Sequence, residues 1–161
     1  MGKLSRAKGR AFEQKIARQL REIYDDAQLR HETQQALDEK NRTLHNALLK
    51  QSNVRRSDQG KGAQEPDLVV QGCPCWFELY TGKSDVSRTK LQQAAKDVRD
   101  TRSPLLPVAV VHLLGKQKIA AVLRFDSLAK LVGLKRRGVK HNPVVSVDWE
   151  DFKAILREHH V

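Results

Sequence analysis

The sequence has few cysteines and no apolar run long enough to span a bilayer. Only Cys73 and Cys75 occur among 161 residues. A disulfide between residues separated by one proline would be strained, and two thiols alone cannot form a zinc site. The first ten residues, MGKLSRAKGR, lack the apolar stretch of a signal peptide. We therefore expect a soluble, intracellular (cytoplasmic) protein with no membrane partner.

Acidic residues are also scarce relative to basic ones. The chain has 19 Asp and Glu against 30 Lys and Arg, a net charge of +11, and 39% of its residues are hydrophobic. A basic excess of this size in a small protein indicates a polyanionic partner, most often nucleic acid. Charge alone supports binding rather than catalysis.

The length and the absence of internal repeats or low-complexity linkers predict one domain over residues 1–161. From Ser5 to about Lys50 only Gly9 disfavours a helix, and apolar residues at Phe12, Ile16 and Leu20 recur at helical spacing. Residues 25–50 are more polar and predict a helical extension, either continuous with the first helix or separated from it near residue 26. A sparse leucine stripe there favours a homodimer formed through this arm, and the alternative is an exposed helix that packs on its own domain.

The stretch from Glu65 to Lys83 predicts a β-hairpin that carries two carboxylates. Asp67 precedes an apolar run, Gly72 and Pro74 provide the turn, and Glu78 interrupts the second run. An acidic residue in an apolar strand needs a partner, because an unpaired buried carboxylate is costly. A divalent metal shared by Asp67 and Glu78 would meet that need, since Mg²⁺ prefers carboxylate oxygen. The alternative is a structural pairing of each acid with a nearby Lys or Arg.

Two basic loops predict contacts with a phosphate backbone. The first precedes the hairpin and contains Arg55, Arg56 and Lys61, and the second contains Arg136 and Arg137. A solvated loop remains the alternative for each.

The remaining patterns predict a central mixed β-sheet flanked by helices, which is an α/β fold. The expected elements are a short strand from Val54 to Ser57, a helix from Ser87 to Arg102, strands from Leu105 to Leu114 and Lys118 to Phe125, a helix from Ser127 to Val132 capped by Asp126, a strand from Val144 to Val147, and a terminal helix capped by Asp148.

Several short motifs, in this order, resemble the PD-(D/E)xK nuclease superfamily, in particular phage-type endonucleases and archaeal-type Holliday junction resolvases. They are Gly9-Arg10-Ala11-Phe12-Glu13 on the first helix, Pro66-Asp67 opening a strand, Glu78 in the next strand, Thr81-Gly82-Lys83 after it, Gln92-Gln93-Ala94 on the following helix, and Trp149-Glu150-Asp151-Phe152 near the end. The resemblance covers most of the chain outside residues 25–50.

The resemblance implies a restriction-endonuclease-like core and a phosphodiester hydrolase that acts on branched or duplex DNA, phage-encoded in a bacterial host if the phage-type likeness holds. It implies that Glu13, Asp67 and Glu78 bind Mg²⁺ or Mn²⁺, and that Ser57 contributes from the preceding loop. Gln92 joins the basic residues as a candidate DNA contact.

One position departs from the family pattern. The family lysine lies two residues after the strand glutamate, where this chain has Tyr80. A phenol can donate a hydrogen bond but cannot supply a cation. Lys83 could take that role and contact DNA, or catalysis could be weak or lost. The alternatives to a nuclease are an inactive DNA-binding relative and a basic helical scaffold protein.

Overall fold

The computed structural model describes residues 2–57, 65–135 and 140–161. Within these ranges six strands form one mixed sheet with helices on both faces, which confirms the expected α/β class. The elements in chain order are α1 (Gly2–Tyr24), α2 (Ala27–Asp38), α3 (Arg42–Leu49), β1 (Val54–Arg56), β2 (Leu68–Val70), β3 (Cys75–Gly82), α4 (Ser87–Asp100), β4 (Leu106–Leu113), β5 (Ile119–Arg124), α5 (Phe125–Leu131), β6 (Val144–Asp148) and α6 (Trp149–His159).

The strands lie side by side in the order in which they occur along the chain, from β1 at one edge to β6 at the other. Strands β3 and β4 are parallel and are connected by α4, whereas the other neighbouring pairs are antiparallel. The predicted hairpin is confirmed: Leu68 pairs with Phe77, and Gly72 in the turn has φ of +84°. That left-handed conformation favours glycine.

The two faces of the sheet are covered by different helices. Phe77 and Leu79 point into the larger core, which includes the apolar face of α1 and the buried side chains of α6. Because side chains alternate along a strand, Glu78 and Tyr80 point to the other face. There Tyr80 packs against a smaller cluster that includes Leu91 of α4. The carboxylate of β3 therefore lies on the α4 side of the sheet.

The first and last helices meet over the larger core. Trp149 is buried, lies edge-on to Phe77 at 6.5 Å between ring centroids, and stacks on Phe152 at 5.8 Å. Its indole Nε1 donates a hydrogen bond of 2.7 Å to Oε1 of Gln19 on α1. This hydrogen bond joins residues that are 130 positions apart in the sequence and connects the first helix to the last.

The N-terminal arm is divided into separate helices rather than one continuous rod. The side chain of Asp26 accepts a hydrogen bond from the Leu29 backbone and begins α2, and Asn41 begins α3 in the same way. Of the two alternatives left open by the sequence, separate helices that meet near residue 26 are observed, and a second break occurs near residue 40. Leu37 and Leu44 are 53% and 45% exposed. Dimerisation through this arm stays a prediction.

The two predicted helix caps in the C-terminal half have different outcomes. Asp148 does cap α6, because its side chain accepts from the Glu150 backbone. The assignment of Asp126 as a cap was wrong: α5 begins one residue earlier, at Phe125, and the residue before it is Arg124. Asp126 thus lies in the first turn, where a carboxylate still favours a helix. No helix within the described ranges has the length and hydropathy needed to cross a membrane.

Candidate functional site

Asp67 lies at the start of β2 and its carboxylate is held by the neighbouring strand. Its backbone N–H donates to the carbonyl of Phe77 at 2.9 Å. Its side-chain Oδ2 accepts a hydrogen bond of 2.7 Å from the backbone N–H of Leu79. The two bonds flank Glu78 along β3, so they place Asp67 directly beside that residue.

Glu78 is 4% exposed and lies between the sheet and α4. Its Oε1 accepts a hydrogen bond of 3.2 Å from the indole Nε1 of Trp76 on the same face of β3. Burial, followed by the negative charge of Asp67, raises the pKa of Glu78 to about 7, although the Trp76 hydrogen bond acts in the opposite direction. The predicted juxtaposition of Asp67 and Glu78 is therefore formed.

Helix α4 contributes two charged residues that the sequence did not single out. The positive charge of Lys90 lowers the pKa of Glu78, and the negative charge of Asp97 raises it. Asp97 is itself buried, and its Oδ2 has no hydrogen-bond partner among the described residues. Burial raises the pKa of Asp97, and the charges of Lys96 and then of Lys90 oppose that shift. Lys90 is the cation of α4 whose charge acts on both Glu78 and Asp97.

Glu13 does not join this group. Its carboxylate forms an ion pair with Arg56 of β1, to which both Nε and Nη2 of the arginine donate. Arg56 lies two residues after Val54, which is buried in the larger core, and therefore shares the α1 face of the sheet. Glu13 thus lies on the face opposite to Glu78. Among the described residues no three His, Cys, Asp or Glu side chains are grouped to hold a metal, so the expected triad of Glu13, Asp67 and Glu78 is not assembled.

Tyr80 occupies the expected position on the same face as Glu78 but points away from it. A Cβ atom added at Gly82 would overlap the Tyr80 hydroxyl and the adjoining ring carbon, which shows that the ring lies over that glycine. Lys83 follows the last residue of β3 and is exposed. The positions of Tyr80 and Lys83 do not decide which of them takes the role of the lysine that the resemblance implies. Lys90 is a third candidate for that role.

The other predicted residues lie around this region in different settings. The hydroxyl of Ser57 donates to Glu65 at 3.0 Å, although the Ser57 backbone N–H donates to the carbonyl of Asp67 at 3.1 Å. Arg55 is exposed and pairs with the same Glu65 at 3.4 Å. Gln92 is exposed on α4. Three further predicted DNA contacts lie outside the described residues: Lys61, Arg136 and Arg137.

The pair formed by Asp67 and Glu78 suits a hard divalent cation. Two neighbouring carboxylates repel each other unless a proton or a cation lies between them, and the raised pKa of Glu78 reflects that repulsion as well as burial. Mg²⁺ is commonly bound by only one or two protein carboxylates and completes its shell with water and substrate phosphate. These two residues therefore fit Mg²⁺ without a third carboxylate.

Comparison of the chain with protein-family models, with curated proteins and with solved structures gave no match.

Proposed function

We propose that this protein is a metal-dependent DNA endonuclease with a restriction-endonuclease-like core, acting on branched or duplex DNA. The observation that supports the proposal best is the pairing of Asp67 and Glu78 across neighbouring strands, beside a lysine, in a chain of net charge +11. A protein that only bound DNA would gain nothing from two adjacent acids near an anionic ligand. Metal-dependent hydrolysis gives those acids a role.

In this proposal Asp67 and Glu78 hold Mg²⁺ or Mn²⁺. When bound, the ion would lower the pKa of a coordinated water and offset charge on the phosphate. The chain's own contribution is orientation. The Leu79 amide fixes one carboxylate and the Trp76 indole fixes the other, so both carboxylates are oriented before a metal binds.

Lys90 takes the role of the family lysine in this proposal. It is half-buried on α4 and close enough to Glu78 to influence its pKa, whereas Tyr80 is turned toward Gly82. An ammonium group near the reacting phosphate stabilises negative charge that develops in the transition state. Glu13 pairs with Arg56 on the opposite face of the sheet and takes no part in holding the metal in this proposal.

The direct test is a cleavage assay with labelled four-way junction, duplex and single-stranded DNA, each with Mg²⁺, Mn²⁺ or chelator. We expect cleavage only with metal, and a fall of about 1,000-fold in Asp67→Ala and Glu78→Ala, because loss of a metal ligand removes several kcal/mol of transition-state stabilisation. Glu158→Gln, which alters an exposed acid on α6, is the matched control. Metal-independent cleavage, or full activity in both variants, would exclude the proposal.

A second candidate, a DNA-binding protein that does not cut, is favoured by one observation. Glu78 is only 4% exposed, so a phosphate can reach it only if α4 or the adjoining loop moves. In that case the same assay would give salt-sensitive binding to every DNA substrate and no product with any metal.

A further inference from the structure

A groove of about 670 Å³ lies on the opposite side of the molecule from the pair of acids. Residues of α1 form one wall, residues of α2 and α3 form the other, and Arg56 of the edge strand β1 also lines the groove. Its volume is in the range of sites that bind ligands. We call it the arm groove.

The lining of the arm groove is strongly basic. Among the described residues it carries five cationic side chains and two carboxylates, Glu22 and Asp25. The cationic side chains are those of Lys15, Arg18, Arg21, Arg30 and Arg56.

The cations differ in how far they are already engaged. Arg21 donates to Ser52 Oγ and to the carbonyl of Val54, each at 3.3 Å, and Arg30 donates to the carbonyl of Glu22 at 3.1 Å. Lys15 and Arg18 are exposed and have no ion-pair partner among the residues that the structure describes. Two cations are therefore available to an incoming anion.

The shape and chemistry of the groove favour a phosphate backbone over nucleic-acid bases. The described lining residues include no Phe, Tyr or Trp, and the imidazole of His45 is hydrogen-bonded to the carbonyl of Thr33 at 3.1 Å, so bases have little on which to stack. Arginine and lysine are the side chains that contact backbone phosphates most often. The wall from Ala11 to Glu22 is about 16 Å long at 1.5 Å per helical residue, equal to the rise of four to five nucleotides along a duplex strand.

The position of the groove connects it with the acids. Arg56, which lines the groove, is the register partner of Leu68, and Leu68 directly follows Asp67. Because β1 is an edge strand, DNA bound in the groove would reach the acids on the other face by passing around this edge of the sheet.

We propose that the arm groove binds the phosphate backbone of the DNA whose cleavage occurs at Asp67 and Glu78. The inference rests on the proposed function for its substrate class, but it concerns a separate surface and is tested by binding alone. The helical arm then serves to lengthen the path over which the protein holds its substrate.

The experiment measures binding of labelled duplex and single-stranded DNA by fluorescence anisotropy in chelator, over a series of salt concentrations. The test variant is Lys15→Gln with Arg18→Gln. The control is Lys130→Gln with Arg157→Gln, which makes the same charge change at exposed positions on α5 and α6. Circular dichroism and urea unfolding confirm that both remain folded.

We expect the test variant to bind duplex DNA at least about tenfold more weakly at low salt. The slope of log affinity against log salt should become less steep by about 1.8 for duplex DNA and by about 1.4 for single-stranded DNA. The control should change both quantities by much less. Equal losses in the two variants would overturn the inference, because they would reflect net charge alone. The same titration is repeated with labelled polyglutamate in place of DNA. If the test variant loses binding to polyglutamate but not to DNA, the inference is overturned and the groove binds an acidic protein instead. If the slope changes as expected while no DNA is ever cleaved, the groove stands and the nuclease proposal fails.

Discussion

Glu78 is buried beside Asp67, and this setting determines how its charge affects stability. Its pKa is about 7 in the folded protein and 4.5 for an ordinary glutamate. Between these values the folded state holds more protons than the unfolded state, so stability falls as pH rises. The groups that face it are Asp67, Trp76, Lys90 and Asp97.

We therefore expect the metal-free protein to lose up to about 3 kcal/mol of unfolding free energy from this residue between pH 4.5 and pH 8. The measurement is urea unfolding in chelator at several pH values, taken as the difference between the wild type and Glu78→Gln. Added Mg²⁺ should restore stability at pH 8, because an ion that binds only the folded state stabilises it. A difference that does not vary with pH would show that Glu78 is an ordinary carboxylate.

Lys90 gives a second prediction at the scale of single residues. Lys90→Ala should lower the cleavage rate by about 10- to 100-fold, because it removes the α4 cation whose charge acts on Glu78. Lys96→Ala is the control on the same helix, since that side chain is 66% exposed and pairs with Asp100. If Lys83→Ala has the larger effect, the lysine that assists cleavage is the one that follows β3 instead.

At the scale of elements, the end of β3 is shaped by Tyr80 and Gly82. The Tyr80 ring covers the space that a side chain at position 82 would occupy. Gly82→Ala should therefore displace the ring and destabilise the protein by about 1 to 3 kcal/mol. Denaturant unfolding of both single variants and of Gly82→Ala with Tyr80→Ala measures the coupling. If the destabilisation of the double variant equals the sum of the two single variants, the Tyr80 ring and position 82 do not interact.

The helical arm is attached to the sheet through Asp25. This buried carboxylate accepts hydrogen bonds of 2.7 Å from Ser52 Oγ and from the backbone N–H of Asn53, and thereby joins the end of α1 to the approach to β1. Asp25→Ala should cost about 2 to 4 kcal/mol, because it leaves two half-buried donors without their charged acceptor. Asp38→Ala, an exposed acid on α2, is the control in urea unfolding. An equal loss of unfolding free energy in both variants would mean that the hydrogen bonds of Asp25 contribute little to stability.

The elements were largely predictable from the sequence because their signals are local. The alternation in the hairpin and the turn at Gly72 placed Asp67 opposite Glu78, and the apolar run from Leu105 to Leu114 located β4. The group around Glu78 was less predictable, because it depends on how separate elements cross. Nothing in the sequence near Lys90 shows that α4 brings it over β3. Nothing in the sequence near Glu13 shows that α1 covers the face of the sheet opposite to Glu78, where Glu13 pairs with Arg56.

At the scale of the whole molecule, the net charge of +11 predicts binding that weakens with salt. We expect affinity for duplex DNA to fall at least about 100-fold between 50 and 200 mM salt, which corresponds to several phosphate contacts. The measurement is anisotropy in chelator, and a zwitterion at matched osmolality serves as the control. Affinity that does not respond to salt would point to a different partner.

The strand order described above has a consequence for synthesis. Each strand neighbours the one made just before it, so the sheet can grow in register as the chain leaves the ribosome, without waiting for a distant segment. Asp67 and Glu78 would be brought together by the pairing of β2 with β3, before α6 has joined the fold. Only the docking of α6 on α1 needs both ends of the described chain, which makes the bond between Trp149 and Gln19 a marker for the last step of folding.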